Sequence, residues 1–157
     1  MKRIQDIFTH PLYQEQLSLL MDAEKDRIFC RHTVEHFLDV ARLMYLYNLE
    51  DCAGLEKELI FGAAFLHDIG RYEQIAKGTP HDIASARMAQ TILNDCDFSD
   101  RDILEIQDAI LHHRSNENHG ESPLARYLYR ADKQSRNCFC CQASRDCNWP
   151  LSKKNME

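Results

Sequence analysis

His36, His67, Asp68 and Asp132 each stand beside apolar residues, and His81 and the pair His112-His113 lie between them along the chain. Imidazole nitrogen and carboxylate oxygen together suit divalent iron, manganese, nickel, cobalt or zinc. The apolar surroundings sharpen this, because burying an imidazole or carboxylate costs free energy unless it is hydrogen-bonded or ligated. Taken singly, each histidine is more simply a hydrogen-bonded core or surface group; His36, His67, Asp68 and Asp132 taken together read as a ligand set. Arg71 follows His67 by one helical turn, Lys133 adjoins Asp132, and Arg136 comes one turn later. Arg71 could hold a phosphate oxygen, with two donors where a lysine has one point charge; an ordinary surface arginine is the alternative. Lys133 and Arg136 are further phosphate candidates. His32, four residues before His36, would share its helical face. It is a candidate metal or substrate contact, or an inert residue of a first turn.

A second set of ligand atoms is sulfur. Of seven cysteines, Cys138, Cys140, Cys141 and Cys147 fall within ten residues. Cys138-x2-Cys141-x5-Cys147 has metal-ligand spacing, with Cys140, or Cys30 if the segment folds back, as a fourth thiolate. Zinc or an iron–sulfur cluster suits such ligands; reduced thiols on a loose tail are the alternative. Thiols and metal ligands fit a reducing compartment better than disulfides do. The N-terminus lacks the apolar stretch of a secretory signal, and no segment reaches the roughly 18 apolar residues of a membrane span. The expectation is a cytoplasmic protein without a membrane partner.

These groups need a scaffold. The chain has 157 residues and a mass of 18.4 kDa, the size of one domain. Hydrophobic residues make up 44%, against 28% charged, 5 Gly and 4 Pro, so a core is affordable and helix breakers are few. An all-α fold is expected. Apolar residues recur at helical spacing over 11–27, 33–49, 55–69, from Thr79-Pro80 through Leu93, from a Ser99 cap through Leu111, and from Pro123 through Ala131. The segment 55–69 is apolar all round, as a buried central helix would be, and Gly70 is its expected terminator. Residues 114–121 read as a polar loop and the end of the chain as a tail. The net charge of -6 excludes a basic nucleic-acid-coating protein. Residues 126–157 nevertheless carry seven Lys/Arg against three Asp/Glu, consistent with a solvated helix and polar tail.

Together His36-Phe-Leu-Asp-Val40-Ala41, Phe65-Leu66-His67-Asp68-Ile69-Gly70 and Arg130-Ala131-Asp132-Lys133 resemble the HD-domain metal-dependent phosphohydrolases over about residues 30–136. The resemblance implies an all-α helical core, read here as a single-domain bundle over 1–137; the cysteine-rich tail over 138–157 lies outside the family's common pattern. It implies a metal held by His36, His67, Asp68 and Asp132. His81 and His112 match positions that bind a second ion in dinuclear members, which include dinucleoside polyphosphate hydrolases and cyclic-dinucleotide phosphodiesterases; His113 is a further candidate. The Gly-Tyr-Pro motif of the cyclic-dinucleotide enzymes does not follow His112-His113.

What the resemblance implies is hydrolysis of a phosphate ester or anhydride, with a nucleotide as the expected substrate, by a phosphomonoesterase, phosphodiesterase or pyrophosphohydrolase. Two ions would activate a water and offset phosphoryl charge, with Asp68 bridging them and Arg71 on the phosphate. The implied partner is a small phosphorylated molecule; nucleic acid is not expected, and the oligomeric state is left open. Two alternatives share these residues: a di-iron oxygenase of the same fold, and a metal- or redox-sensing module without catalysis.

Overall fold

The computed structural model describes residues 1–115 and 121–156, and every regular element among them is helical. Residues 116–120 of the expected polar loop lie outside the described residues. The helices are α1 (Lys2–Thr9), α2 (Pro11–Ala23), α3 (Val34–Glu50), α4 (Lys57–Leu66), α5 (Arg71–Lys77), α6 (His81–Asp95), α7 (Asp100–His112) and α8 (Pro123–Gln134). Two single 3₁₀ turns follow, Cys138–Cys140 and Leu151–Lys153.

The all-round apolar character of α4 has its structural counterpart. Ile60, Ala63, Ala64 and Leu66 are fully buried, and α1, α3, α6, α7 and α8 all pack against this helix. Outside it, α3 pairs with α8 and α6 with α7. Helix starts are set by side-chain caps: Thr33 accepts from the His36 amide, Ser99 from Asp102 and Ser122 from Ala125. Each satisfies an amide that the helix itself cannot. The polar residues of interest collect where elements begin or end. His67 is the C-cap of α4, Asp68 lies in the turn after it, His81 opens α6, and His113 caps α7.

Three sequence expectations are corrected. Helices α1 and α5 are additional; α1 buries only Ile4 and Ile7, and α5 has seven residues, so neither is long enough for a clear periodicity. The residues after α8 are no loose tail: the Phe139 amide donates to Asn155 O at 3.1 Å and Asn155 Nδ2 to Gln134 O at 2.8 Å. Gly70, finally, does not end α4 in a left-handed conformation. Its φ is -83° and it precedes α5.

Gly70 serves close approach instead. A Cβ there would lie 2.5 Å from the Ser85 amide nitrogen and 2.7 Å from Ala84 Cβ. Its own amide donates to Ser85 Oγ at 2.9 Å. The missing side chain thus lets α6, with His81 at its head, lie directly on the turn that carries Asp68. Gly70→Ala is expected to destabilise the fold by about 1–3 kcal/mol, the usual cost of overpacking. Urea denaturation measures it; an unchanged midpoint would show that α6 yields without strain.

Candidate metal centre and adjoining cavity

Asp68 is the centre of the site, and its two oxygens face different histidines. Oδ2 lies 3.3 Å from His67 Nε2 and 3.4 Å from His32 Nε2. Oδ1 lies 3.0 Å from His81 Nε2 and 3.5 Å from His113 Nε2. Asp132 approaches from α8, with Oδ1 3.5 Å from His36 Nε2 and 3.8 Å from His67 Nε2. All of these residues are buried.

The outward nitrogen of each ring is engaged. Nδ1–H of His67 donates to Ala64 O at 2.7 Å, that of His113 to Ile110 O at 2.5 Å, and that of His81 to Gln74 Oε1 at 2.5 Å. His32 Nδ1–H donates to Glu24 Oε1 at 2.7 Å, and His36 Nδ1–H to Ser135 Oγ at 3.2 Å. An occupied Nδ1 fixes the tautomer and leaves the Nε2 lone pair pointing inward, as outer hydrogen bonds do for metal-ligating histidines. His81 Nε2 and His113 Nε2 are 3.2 Å apart.

The buried atoms also fit a cation. Asp68 Oδ1 and His67 Nε2 are fully covered and have no hydrogen-bond partner, an arrangement that native structures rarely leave uncompensated. Burial opposes the charge on Asp68 and Asp132. Even so, His67 and His32 hold Asp68 well below the usual carboxylate range, and Lys133 and His36 do the same for Asp132. His67 shows the converse: burial disfavours its charge, yet Asp68 and Asp132 raise it to about 9. His36 is taken down to about 4 by burial, and its neutral Nε2 accepts from Arg136 Nη2 at 2.9 Å, a bond that a cation at this nitrogen would displace. The carboxylates therefore create a negative field that favours positive charge in their midst, whether a proton on His67 or a bound cation in its place. Among the described residues, two groups have ligand atoms mutually within 4.8 Å: His36, His67, Asp68 and Asp132, and Asp68, His81 and His113. This buried His/Asp cluster fits divalent metal binding.

Several expected residues stand elsewhere. His112 is half-exposed, with Nδ1 2.8 Å from Asp108 O and 3.1 Å from Asp108 Oδ1, on the outer face of α7. The neighbouring His113 takes the inward position. The signal lay in the spacing, since His113 continues the buried stripe Ile103, Ile106, Ile110. His32 does not share a helical face with His36: α3 begins after Thr33, and His32 reaches Asp68 from the preceding segment. Arg136 does not face the cavity described below. Its Nη1 donates to Arg31 O and its Nη2 to His36 Nε2, both at 2.9 Å. Cys140 is exposed, with Sγ donating to Asn137 O, whereas Cys30, Cys138, Cys141 and Cys147 line one pocket.

Beside Asp68 and Asp132 opens a cavity of about 270 Å³. Arg71 lines it, with Nη1 3.4 Å from His81 Nδ1. Lys133 lines it too, its ammonium donating to His113 O at 2.7 Å and Asp132 Oδ2 at 2.8 Å. Arg114, Trp149 and Lys153 complete the wall. Sequence reasoning had not found these three, nor Glu24 and Gln74, which orient histidines. The single tryptophan is a usable signal; Glu24, at the end of α2, and Gln74, in the middle of the short α5, are ordinary polar residues that carry none.

Known proteins share the sequence pattern and the fold. A family model described as HD domain matches residues 33–137. An uncharacterized protein of Clostridium beijerinckii is 44% identical over 134 residues, covering 85% of this chain and 83% of that one. The crystal structure of a predicted HD superfamily hydrolase from an uncultured Thermotogales bacterium has a similar fold, with a TM-score of 0.68 and 18% identity over 95% of this chain and 82% of that one. A match over residues 33–137 takes in most of the helices that build this site, α3 to α8, and it shows the family: the chain belongs to the HD domain family.

Proposed function

We propose that the protein is a metal-dependent phosphohydrolase that cleaves an ester or anhydride of a nucleotide. The observation that carries this reading is the single cavity whose wall joins Asp68 and Asp132 to four cationic side chains and an indole. In this reading His36, His67, Asp68 and Asp132 hold one ion, and Asp68, His81 and His113 hold a second. When bound, such ions supply Lewis acidity and a water acidified toward neutral pH.

The chain's own residues do the rest. Asp68 offers one oxygen to each half of the site. Glu24, Gln74 and the carbonyls of Ala64 and Ile110 keep the imidazoles aimed at it. Arg71 grips a non-bridging phosphate oxygen, where a charge-assisted bond strengthens as the phosphoryl group gains charge. Arg114 and Lys153 take further phosphate charge, while Lys133 ties Asp132 to the end of α7. Trp149 gives a base a face to stack on. The seven cysteines form no disulfide, and no described helix is long and apolar enough to cross a membrane; both suit the cytoplasm, where nucleotide substrates abound.

Metal analysis separates the roles. Protein purified without chelator is expected to hold about two ions per chain. Asp68→Ala should lose both, and His113→Ala or His81→Ala should keep one. His112→Ala should keep the full complement, and if it alone lost an ion, the assignment of His113 would fall.

Turnover tests the chemistry. Chelated protein resupplied with Mn²⁺, Fe²⁺, Co²⁺ or Ni²⁺ should release phosphate or a nucleoside monophosphate from a nucleotide panel. Arg71→Ala should lower kcat by roughly 10²–10³, as loss of one preorganised donor does elsewhere, with metal content unchanged. Trp149→Ala should raise KM for nucleotides by roughly 5- to 150-fold, the range that base stacking spans, and leave a simple aryl phosphate unaffected. Turnover indifferent to chelator would overturn the reading. Dioxygen uptake on an organic substrate, without phosphate release, would replace it with the oxygenase alternative.

A further inference from the structure

Three cysteines close in sequence and a fourth more than a hundred residues away meet on one cavity. Cys30, Cys138, Cys141 and Cys147 line a space of about 370 Å³ between the segment before α3 and the residues after α8. The local structure explains which thiols face it. Cys138 and Cys141 are three apart across a 3₁₀ turn, where residues i and i+3 eclipse, so both point the same way. Cys140, inside that turn, points out to solvent. Cys30 is brought across by Arg136, whose Nη1 holds Arg31 O, and by Arg27, whose Nε donates to Cys30 O at 3.0 Å. Burial pushes the Cys30 thiol up; Arg136 draws it down, and Cys138 and Cys141 add to the rise.

The size and charge of this space are informative. The close ligand groups, with atoms within 4.8 Å of one another, are those of the Asp68 site; the four thiols are not among them and stand round the walls of a larger space. A single zinc draws its four sulfurs to about 3.8 Å from one another, given tetrahedral Zn–S bonds near 2.3 Å. A cubane cluster holds its four thiolates at separate corners, further apart, and fills the middle with its own iron and sulfide. Four thiolates on a doubly positive cubane core leave a net charge of minus two. Arg27, Arg136 and Lys154 line the same cavity and answer that charge, while Phe29 and Trp149 shield it from water.

We propose that Cys30, Cys138, Cys141 and Cys147 hold a four-iron, four-sulfide cluster that fastens the C-terminal segment over the HD site. Binding displaces four thiol protons and needs only ferrous iron, ferric iron and sulfide. Trp149 lines both this cavity and the one beside Asp68, so the cluster fixes one wall of the other site. The proposal is independent of the substrate reading.

The test counts acid-labile sulfide, which iron at the Asp68 site does not contribute. The full chain, purified without oxygen or reconstituted with iron and sulfide, should carry about four sulfides per chain and a broad visible absorption that reductant bleaches. Cys30→Ser and Cys147→Ser should each lose most of this sulfide, and Cys140→Ser should keep it. Circular dichroism checks that the variants fold, and the wild-type count stands even where one does not. Zinc at these thiols without sulfide, or rapid alkylation of all four in the reconstituted protein, would overturn the proposal, as would full sulfide retention in a folded Cys30→Ser variant.

Discussion

A buried carboxylate with four imidazoles turned toward it is the constraint that organises this molecule. Asp68 is taken out of water, at a cost that burial alone would make prohibitive. Four rings drawn from three separate helix ends and one irregular segment surround it. No two of these rings come from the same element. The helical bundle can therefore be understood as the means of bringing the C-terminal ends of α4 and α7 and the N-terminal end of α6 to one point. α8 adds Asp132, and α3 adds His36 from its first turn.

Convergence of this kind depends on how closely backbones can approach. The turn after α4 lies against α6 without an intervening side chain, and the Ser85 hydroxyl takes the amide of Gly70. A larger residue there would not alter a ligand, yet it would move the element that carries one. The outer hydrogen bonds act in the same direction. Each ring is held by its far nitrogen, so its near nitrogen has a fixed aim before any ion arrives.

Much of this was legible in the sequence, for physical reasons. Helices α3, α4 and α6 to α8 are long enough for apolar spacing to repeat, and Ser99 and Pro123 mark starts that local chemistry enforces. His36, His67, Asp68 and Asp132 stood out because polar groups beside apolar runs need an explanation. Less visible were features decided by tertiary approach. The choice between His112 and His113 turns on one step of about 100° round a helix end, which the buried stripe of α7 resolves only once its inner face is traced to the last turn. Glu24, Gln74 and Arg114 act through neighbours distant in sequence, and nothing in their local surroundings distinguishes them. Gly70 was noticed, but as a terminator rather than as a space.

The segment beyond residue 137 has a consequence of a different kind. Trp149 and Lys153 close a cavity whose reactive floor is built wholly from the helical bundle. The two parts answer to different constraints: the floor is locked by mutual burial, where almost any change is felt by several partners, while the wall is short, lies at the surface and follows the last helix. A lineage could therefore exchange the wall and change what the cavity admits, leaving untouched the cluster beneath. In this architecture the buried cluster and the shape of its entrance are separately heritable.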